Sequence, residues 1–241
     1  MNSYIDMHTH ILPGLDDGAK NSAMALEMLR RAQAEGIQEI ILTPHYKPMR
    51  HNARPETVKR AFYQLEKLKD TAGISIRLYL GNEVYYGSDV IAALREEKVF
   101  TMAGSACVLV EFNPAEDYAY IREAAYRLLA EGYVPILAHV ERYRCLMEKK
   151  VRAEELYDMG CHLQVNASSI TGENGMTCRQ HVKWLLGREY VSFVGTDCHD
   201  DRKRTPKMAK AAAYVAKKYG ESYSREIFRD NAAALIQGSY G

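Results

Sequence analysis

Histidine, aspartate and glutamate recur at equivalent points of this chain: His8 and His10, His45, Glu83, Glu111, His139, then Asp197 and His199. Each follows a short apolar run. Imidazole and carboxylate without thiolate is the donor set of divalent metals such as Mn, Fe, Zn or Co engaged in hydrolysis, rather than of an iron–sulfur or structural zinc site. His8-x-His10 and Asp197-x-His199 each put two side chains on one side of a strand end, because residues two apart point the same way. Either pair alone arises by chance in many sequences. Their coincidence with the other positions is what carries the signal.

The elements that must position these residues follow from periodicity. Seven apolar runs, at 4–7, 39–43, 76–80, 107–110, 134–138, 162–165 and 191–194, read as parallel strands covered by helices. Between them lie amphipathic stretches. Ala25, Met28, Leu29 and Ala32 stop at Gly36; Val58, Phe62 and Leu65 follow Pro55 and stop at Gly73; Ile121, Ala124, Ala125, Leu128 and Leu129 stop at Gly132. Gly160 and Gly187 close two more, each expected to be left-handed. From His8 the steps to His45, Glu83, Glu111, His139 and Asp197 are 37, 38, 28, 28 and 58 residues. A βα unit takes about 30 residues, so the last step spans nearly two. Only the sixth strand, ending at Asn166, brings nothing obviously chemical. Strand interiors read as nearly free of charge. In a parallel barrel all strand C-termini open on one face, so these polar residues are predicted to converge there.

The chain has 241 residues, the length of one α/β barrel, and is read as a single domain over 1–241. Its 47% hydrophobic and 26% charged residues describe a globular core. Lys and Arg total 32 against 31 Asp and Glu, a balance that argues against specific nucleic-acid binding and against a membrane-surface role. No apolar run is long enough to span a membrane, and Met1 to Tyr4 lack a basic segment or cleavage site. Cys107, Cys145, Cys161, Cys178 and Cys198 are odd in number with no Cys-x-x-Cys pair, which predicts reduced thiols and a cytoplasmic protein. His51, His162 and His181 lie away from strand C-termini and are expected to take no part in chemistry.

Residues 8–18 (His-Thr-His-Ile-Leu-Pro-Gly-Leu-Asp-Asp-Gly), Thr43-Pro44-His45-Tyr46, Gly81-Asn82-Glu83, Val110-Glu111-Phe112, residues 138–143 (Ala-His-Val-Glu-Arg-Tyr) and Gly195-Thr196-Asp197-Cys198-His199 carry a family likeness. Over nearly the whole chain they resemble the PHP-type, manganese-dependent tyrosine phosphatases of bacterial capsule and exopolysaccharide operons. The resemblance implies a distorted seven-stranded (β/α) barrel with two or three divalent ions, Mn foremost, with Fe, Zn or Co as alternatives. It implies His8, His10, Asp17, His45, Glu83, Glu111, His139, Asp197 and His199 as ligands and Arg142 and Arg204 as phosphate contacts. The implied substrate is a tyrosine-phosphorylated protein, such as the tail of a bacterial tyrosine kinase. Asp17 rests on the family pattern alone; the residues themselves leave Asp16 open as a ligand, a helix cap or a supporting acceptor.

Four ligand carboxylates against three divalent ions would leave the filled site at about +2, suited to a phosphate dianion. A metal lowers the pKa of bound water from about 15.7 to about 7, worth about 12 kcal/mol, so a metal-activated hydroxide is the expected nucleophile. Phenolate leaves readily, and the sequence assigns no general acid. Cys198 to Arg204 also reads as Cys-x5-Arg, the spacing of thiol phosphatases. It contains no glycine, and Asp200 and Asp201 would repel an anion, so the match is taken as accidental. Two basic loops, Lys47, Arg50 and Arg54, then Arg202, Lys203, Arg204 and Lys207, are expected on the rim; Tyr85 and Tyr86 are either aromatic walls or barrel packing. The alternatives are a PHP phosphatase for a small metabolite such as histidinol phosphate, a weakly catalytic phosphopeptide-binding module, and the PHP nuclease branch.

Overall fold

The structure is a computed structural model that describes residues 3–48, 50 and 52–238, so His51 lies outside the described residues. The strands are β1 (Tyr4–Thr9), β2 (Ile37–Leu42), β3 (His45–Tyr46), β4 (Arg77–Leu80), β5 (Glu83–Tyr85), β6 (Cys107–Glu111), β7 (Val134–Leu137), β8 (His162–Asn166) and β9 (Val191–Gly195). All pairings between them are parallel, in two ladders ordered β1-β2-β4 and β3-β5-β6-β7-β8-β9.

The runs expected at 39–43 and 76–80 form β2 and β4, and each is followed by a short strand that the periodicity does not predict. β3 is set off from β2 by a break at Thr43-Pro44, where proline has no N–H to continue a ladder. β5 is set off from β4 by a break at Gly81-Asn82. The breaks are stitched to each other: Gly81 N–H donates to the Leu42 carbonyl at 2.9 Å and Asn82 Nδ2 to the Pro44 carbonyl at 2.7 Å. At the other end of the strand order, β1 meets the segment after β9. Asp197 N–H donates to the His8 carbonyl at 2.8 Å, His10 N–H to the Cys198 carbonyl at 2.9 Å, and Thr9 bridges Cys198 in parallel. Taking β2 with β3 and β4 with β5, the strands follow chain order around a distorted (β/α) barrel.

The helices form where the periodicity places them. Helix Ser22–Ala34 buries Ala25, Met28, Leu29 and Ala32, and is capped by the Asn21 side chain accepting from Met24 N–H at 3.0 Å. Helix Pro55–Thr71 has proline in its first turn and buries Val58 and Leu65, and helix Tyr118–Ala130 buries Ile121, Ala124, Ala125 and Leu128. Gly160 is left-handed as expected, and so are Gly36, Gly73 and Gly132. Gly187 is not: its φ of −69° continues helix Met176–Leu186, and the reversal falls on Glu189 at φ 58°.

Along the strands the two-residue period separates two apolar layers. Val108, Val110, Leu137, Leu163, Val165 and Val194 pack in the larger core with the helices. Ile5, Met7, Ile41, Leu109, Ile136 and Phe193 form a smaller core with Ala232 and Leu235 of helix Asn231–Ile236. Following the smaller core's residues in steps of two leads from Leu109 to Glu111, from Ile41 to His45, and from Phe193 through Gly195 to Asp197. Each large apolar side chain buried below stabilises the frame by about 1.5–3 kcal/mol. The polar cluster therefore sits on a packed floor. Among the described residues no helix is long and apolar enough to cross a membrane.

Candidate metal centre

Glu83, which opens β5, is buried among four imidazoles contributed by three other strand ends. Its Oε1 lies 3.2 Å from His8 Nε2 and 2.9 Å from His139 Nε2; its Oε2 lies 3.2 Å from His10 Nε2 and 3.0 Å from His45 Nδ1. Asp197 Oδ1 faces His8, His10 and His199 at 3.7, 3.6 and 3.5 Å. Asp17 Oδ1 lies 3.4 Å from His45 Nε2 and 3.6 Å from His199 Nε2, and Glu111 stands 3.8 Å from His45 and 3.6 Å from His139. All nine residues expected as ligands thus meet in one cluster. Within it three groups have donor atoms no more than 4.8 Å apart: His10, Asp17, His45 and His199; His8, His10 and Asp197; His45, Glu83 and Glu111.

Hydrogen bonding behind the rings decides what they present. His10 Nδ1 lies 2.8 Å from Asp16 Oδ2, His8 Nδ1 3.2 Å from Gln164 Oε1, and His199 Nδ1 3.0 Å from the Asp197 carbonyl. These oxygens only accept, so each Nδ1 carries the proton and each Nε2 turns its lone pair into the cluster when the ring is neutral. The Nε2 atoms of His8 and His10 then face one another at 3.3 Å beside two carboxylates. Lone pair against lone pair is repulsive unless a cation lies among them. His45 Nδ1 adds a second sign, since it approaches Glu83 at 3.0 Å without forming a hydrogen bond. The donor set fits divalent ions.

The electrostatics agree. Burial opposes charge on His10, yet hydrogen bonds and charge from Asp16 and Glu83 outweigh it and raise its pKa to about 10. His8 is raised in the same way, against burial, by Glu83 and Asp197. Protons and metal ions therefore compete for these nitrogens. Burial also works against ionisation of Glu83 and Asp197, but the surrounding imidazoles hold Glu83 well below the carboxylate range and Asp197 near 2. Glu111 is raised, first by burial and then by Glu83. The centre also carries backbone strain: His139 and Asp197 are left-handed, at φ 36° and 52°, a conformation costing on the order of 1–3 kcal/mol each.

Asp16 and Asp17 separate by role. Asp16 accepts from His10 Nδ1, from Gly18 N–H at 2.9 Å and from His45 N–H at 3.0 Å, so its oxygens are committed to orienting other residues. Asp17, with its side chain 64% exposed, faces the cluster. Gly18 permits this turn, since a Cβ there would lie 2.0 Å from the His10 carbonyl oxygen. Arg204 Nη2 reaches Asp197 Oδ2 at 2.8 Å and Arg142 Nη1 reaches the same oxygen at 3.7 Å; both arginine side chains remain about half exposed.

Three cavities open from the cluster. One of about 500 Å³ is lined by Arg142, Asn166, Asp197, Lys203, Arg204 and Lys207; one of about 560 Å³ by Lys47, Arg50, Tyr85, Tyr86 and Glu111; one of about 650 Å³ by Asp17, His199, Arg202 and Lys203. Both basic loops therefore contribute to the rim. Tyr86 is buried and packs on Phe112 and Tyr120 with centroids 5.6 and 5.8 Å away, whereas Tyr85 is partly exposed. His162 lies edge-on to Phe193 and His181 stacks on Trp184.

Sequence reasoning passed over several buried polar residues. Asp6 lies inside β1, an exception to the charge-free strand interiors; burial raises its pKa to about 6 against hydrogen bonds from Thr196 Oγ1 at 2.5 Å and Thr196 N–H at 2.9 Å. Glu141 accepts from Ser169 Oγ at 2.6 Å and Asn166 N–H at 3.1 Å. Gln164 and Asn166 end the strand that seemed chemically silent. The available signal was their spacing of two at a strand end, with neutral amides in place of charged groups.

Cys198 is fully buried beside Asp6 and Thr196, and burial followed by the Asp6 charge pushes its thiol far above its usual range. A thiol so protonated is a poor nucleophile. Cys198→Ser is expected to keep most of the wild-type turnover and iodoacetamide to spare the enzyme. A trapped phosphocysteine, with a serine variant that holds normal metal but has no activity, would reverse this assignment.

The chain has recognisable relatives. The profile of the family described as "Capsular polysaccharide synthesis, CpsB/CapC" matches residues 4–237. Tyrosine-protein phosphatase CpsB of Streptococcus pneumoniae is 30% identical over 237 residues, which are 96% of this chain and 98% of that protein. A solved chain from the work on YwqE of Bacillus subtilis and CpsB of S. pneumoniae, described as unique metal-dependent tyrosine phosphatases, superposes with a TM-score of 0.90. It is 30% identical, and the match covers 97% of this chain and 94% of that one. The phosphotriesterase homology protein of Escherichia coli shares the fold, with a TM-score of 0.66 at 10% identity and 98% of both chains covered. With a profile that runs from β1 almost to the last described residue, this chain belongs to the CpsB/CapC family of capsular polysaccharide synthesis.

Proposed function

We propose that this protein is a metal-dependent phosphoesterase that removes phosphate from phosphotyrosine on proteins, acting in the cytoplasm on targets such as the tail of a bacterial tyrosine kinase. The observation that carries this reading is the meeting of five imidazoles with Glu83, Glu111, Asp17 and Asp197 at one barrel end, in a chain of this family. In it, His8, His10, Asp17, His45, Glu83, Glu111, His139, Asp197 and His199 hold two or three divalent ions, with Mn as the expected metal. When bound, such ions supply Lewis-acid polarisation of phosphoryl oxygen and activation of water.

The chain's own residues do the rest. Asp16, Gln164 and the Asp197 carbonyl keep His10, His8 and His199 with protonated Nδ1 and presented Nε2. Arg142 and Arg204, half exposed over Asp197, bind the non-bridging phosphate oxygens and stabilise charge as it builds in the transition state. Phenolate has an aqueous pKa of about 10 and departs without a strong acid from the chain.

The direct test compares turnover of a phosphotyrosine peptide with that of histidinol phosphate by the Mn²⁺-loaded protein. The peptide is expected to be the better substrate; preference for histidinol phosphate would reassign the activity to a small metabolite. Arg142→Ala and Arg204→Ala should each remove a charge-assisted contact worth about 1.5–3 kcal/mol, or roughly 10- to 150-fold in kcat/KM. Arg142→Ala should leave metal content unchanged. Arg204 also donates to the Asp197 carbonyl at 3.1 Å, so its loss should be the larger. Wild-type kinetics in either variant would remove that arginine from the site.

A further inference from the structure

We infer that Gln164 and Asn166, the two amides at the end of β8, are positioning residues: they preset which atoms of His8 and Asp197 are offered to metal and hold the backbone of His139. This inference rests on the metal-dependent reading above. It begins from a directional run of hydrogen bonds. Gln164 Oε1 accepts from His139 N–H at 2.8 Å, Gln164 Nε2 donates to Asn166 Oδ1 at 3.0 Å, and Asn166 Nδ2 donates to Asp197 Oδ2 at 2.9 Å. A backbone N–H can only donate and a carboxylate can only accept, so both amide orientations are determined by the ends of the run.

The orientation has consequences for three ligands on three strands. With its oxygen turned toward His139, Gln164 also faces His8 Nδ1 at 3.2 Å and makes that nitrogen the donor, leaving His8 Nε2 for the cluster. Asn166 and Arg204 occupy Asp197 Oδ2, at 2.9 and 2.8 Å, so that Oδ1 is the oxygen left toward His8, His10 and His199. His139 and Asp197 are the two left-handed residues of the centre, and the run ties one by its N–H and the other by its carboxylate. Gln164 and Asn166 are 0% and 2% exposed, so bulk solvent has little access to these bonds. Gly195 keeps the packing this close: a Cβ there would lie 2.6 Å from His8 Cβ and 3.2 Å from Gln164 Nε2.

Ordinary buried-amide packing would stabilise the barrel without selecting ligand atoms, and the two roles separate in metal binding. Metal-free wild type, Gln164→Met, Asn166→Ala and the double variant would be titrated with Mn²⁺, with free Mn²⁺ followed by electron paramagnetic resonance. Thermal unfolding of each metal-free protein would be recorded alongside. Each single variant is expected to lose roughly 10- to 100-fold in Mn²⁺ affinity, the usual range for groups that orient ligands. The double variant should lose little more than the worse single, because both amides act through one run. If Gln164→Met does not fold, Asn166→Ala still tests the run, since it removes both the donor to Asp197 Oδ2 and the acceptor that holds the Gln164 amide. Wild-type affinity in a folded single variant, lowered melting without lowered affinity, or fully additive losses would overturn the inference. A wild-type protein that binds no Mn²⁺ would instead overturn the metal-dependent reading beneath it, and the inference with it.

Discussion

Stripping divalent metal from the protein is expected to reduce phosphotyrosine hydrolysis to background, and added Mn²⁺ to restore it. No side chain in the cluster is placed as a nucleophile: Cys198 is buried with a thiol held far above its usual range, and the histidines are committed to carboxylates or to the inward direction. Divalent ions held by these residues would supply water activation, since a bound metal lowers water's pKa from about 15.7 to about 7, a change worth about 12 kcal/mol. No arrangement of the two arginines replaces a term of that size. The measurement is turnover after chelation and gel filtration, with residual metal counted by mass spectrometry. Full activity in protein verified to be metal-free would refute the mechanism.

The second large effect is expected at Glu83. Its two oxygens lie within 3.2 Å of a nitrogen on each of His8, His10, His45 and His139. No other carboxylate in the cluster is so close to as many rings. Glu83→Ala would remove the central negative charge from a buried site and leave four imidazoles without the carboxylate that draws a cation among them. Metal stoichiometry and turnover should both fall, turnover by orders of magnitude. Glu83→Gln, which keeps the side-chain volume, should fail similarly and so separate charge from packing. A folded Glu83→Ala protein with normal metal content and rate would take Glu83 out of the centre.

Much of this centre was legible in the chain because the relevant rules are local. A two-residue period places His8 beside His10 and carries Leu109 to Glu111, and parallel strands joined by helices open all their C-termini on one face. Apolar runs bounded by glycine were therefore enough to anticipate the strands and the convergence of their ends. Local rules also set the limits. The short strands β3 and β5, beyond the breaks at Pro44 and Gly81, are not among the predicted runs, and the breaks are stitched by hydrogen bonds between Leu42 and Gly81 and between Pro44 and Asn82, pairs that only the assembled sheet brings together. Gly187 has the composition of a left-handed cap but continues its helix, because the reversal is carried two residues later by Glu189.

The sequence by itself determined which residue types arrive at the open end of the barrel. Only the tertiary structure decided which of their atoms face inward. Asp16 and Asp17 are neighbours of the same type, yet one carboxylate is taken up by His10, Gly18 and His45 while the other faces His45 and His199. Gln164 and Asn166 looked inert because neutral amides carry no chemistry of their own. Their part emerges when β8 lies between the ends of β7 and β9, with an N–H on one side and a carboxylate on the other. Asp6 is bonded to Thr196, 190 residues away. A hydrogen bond needs its partner within about 3 Å at a favourable angle, and partners so distant in the chain are specified by how the strands close on one another, which no local pattern records.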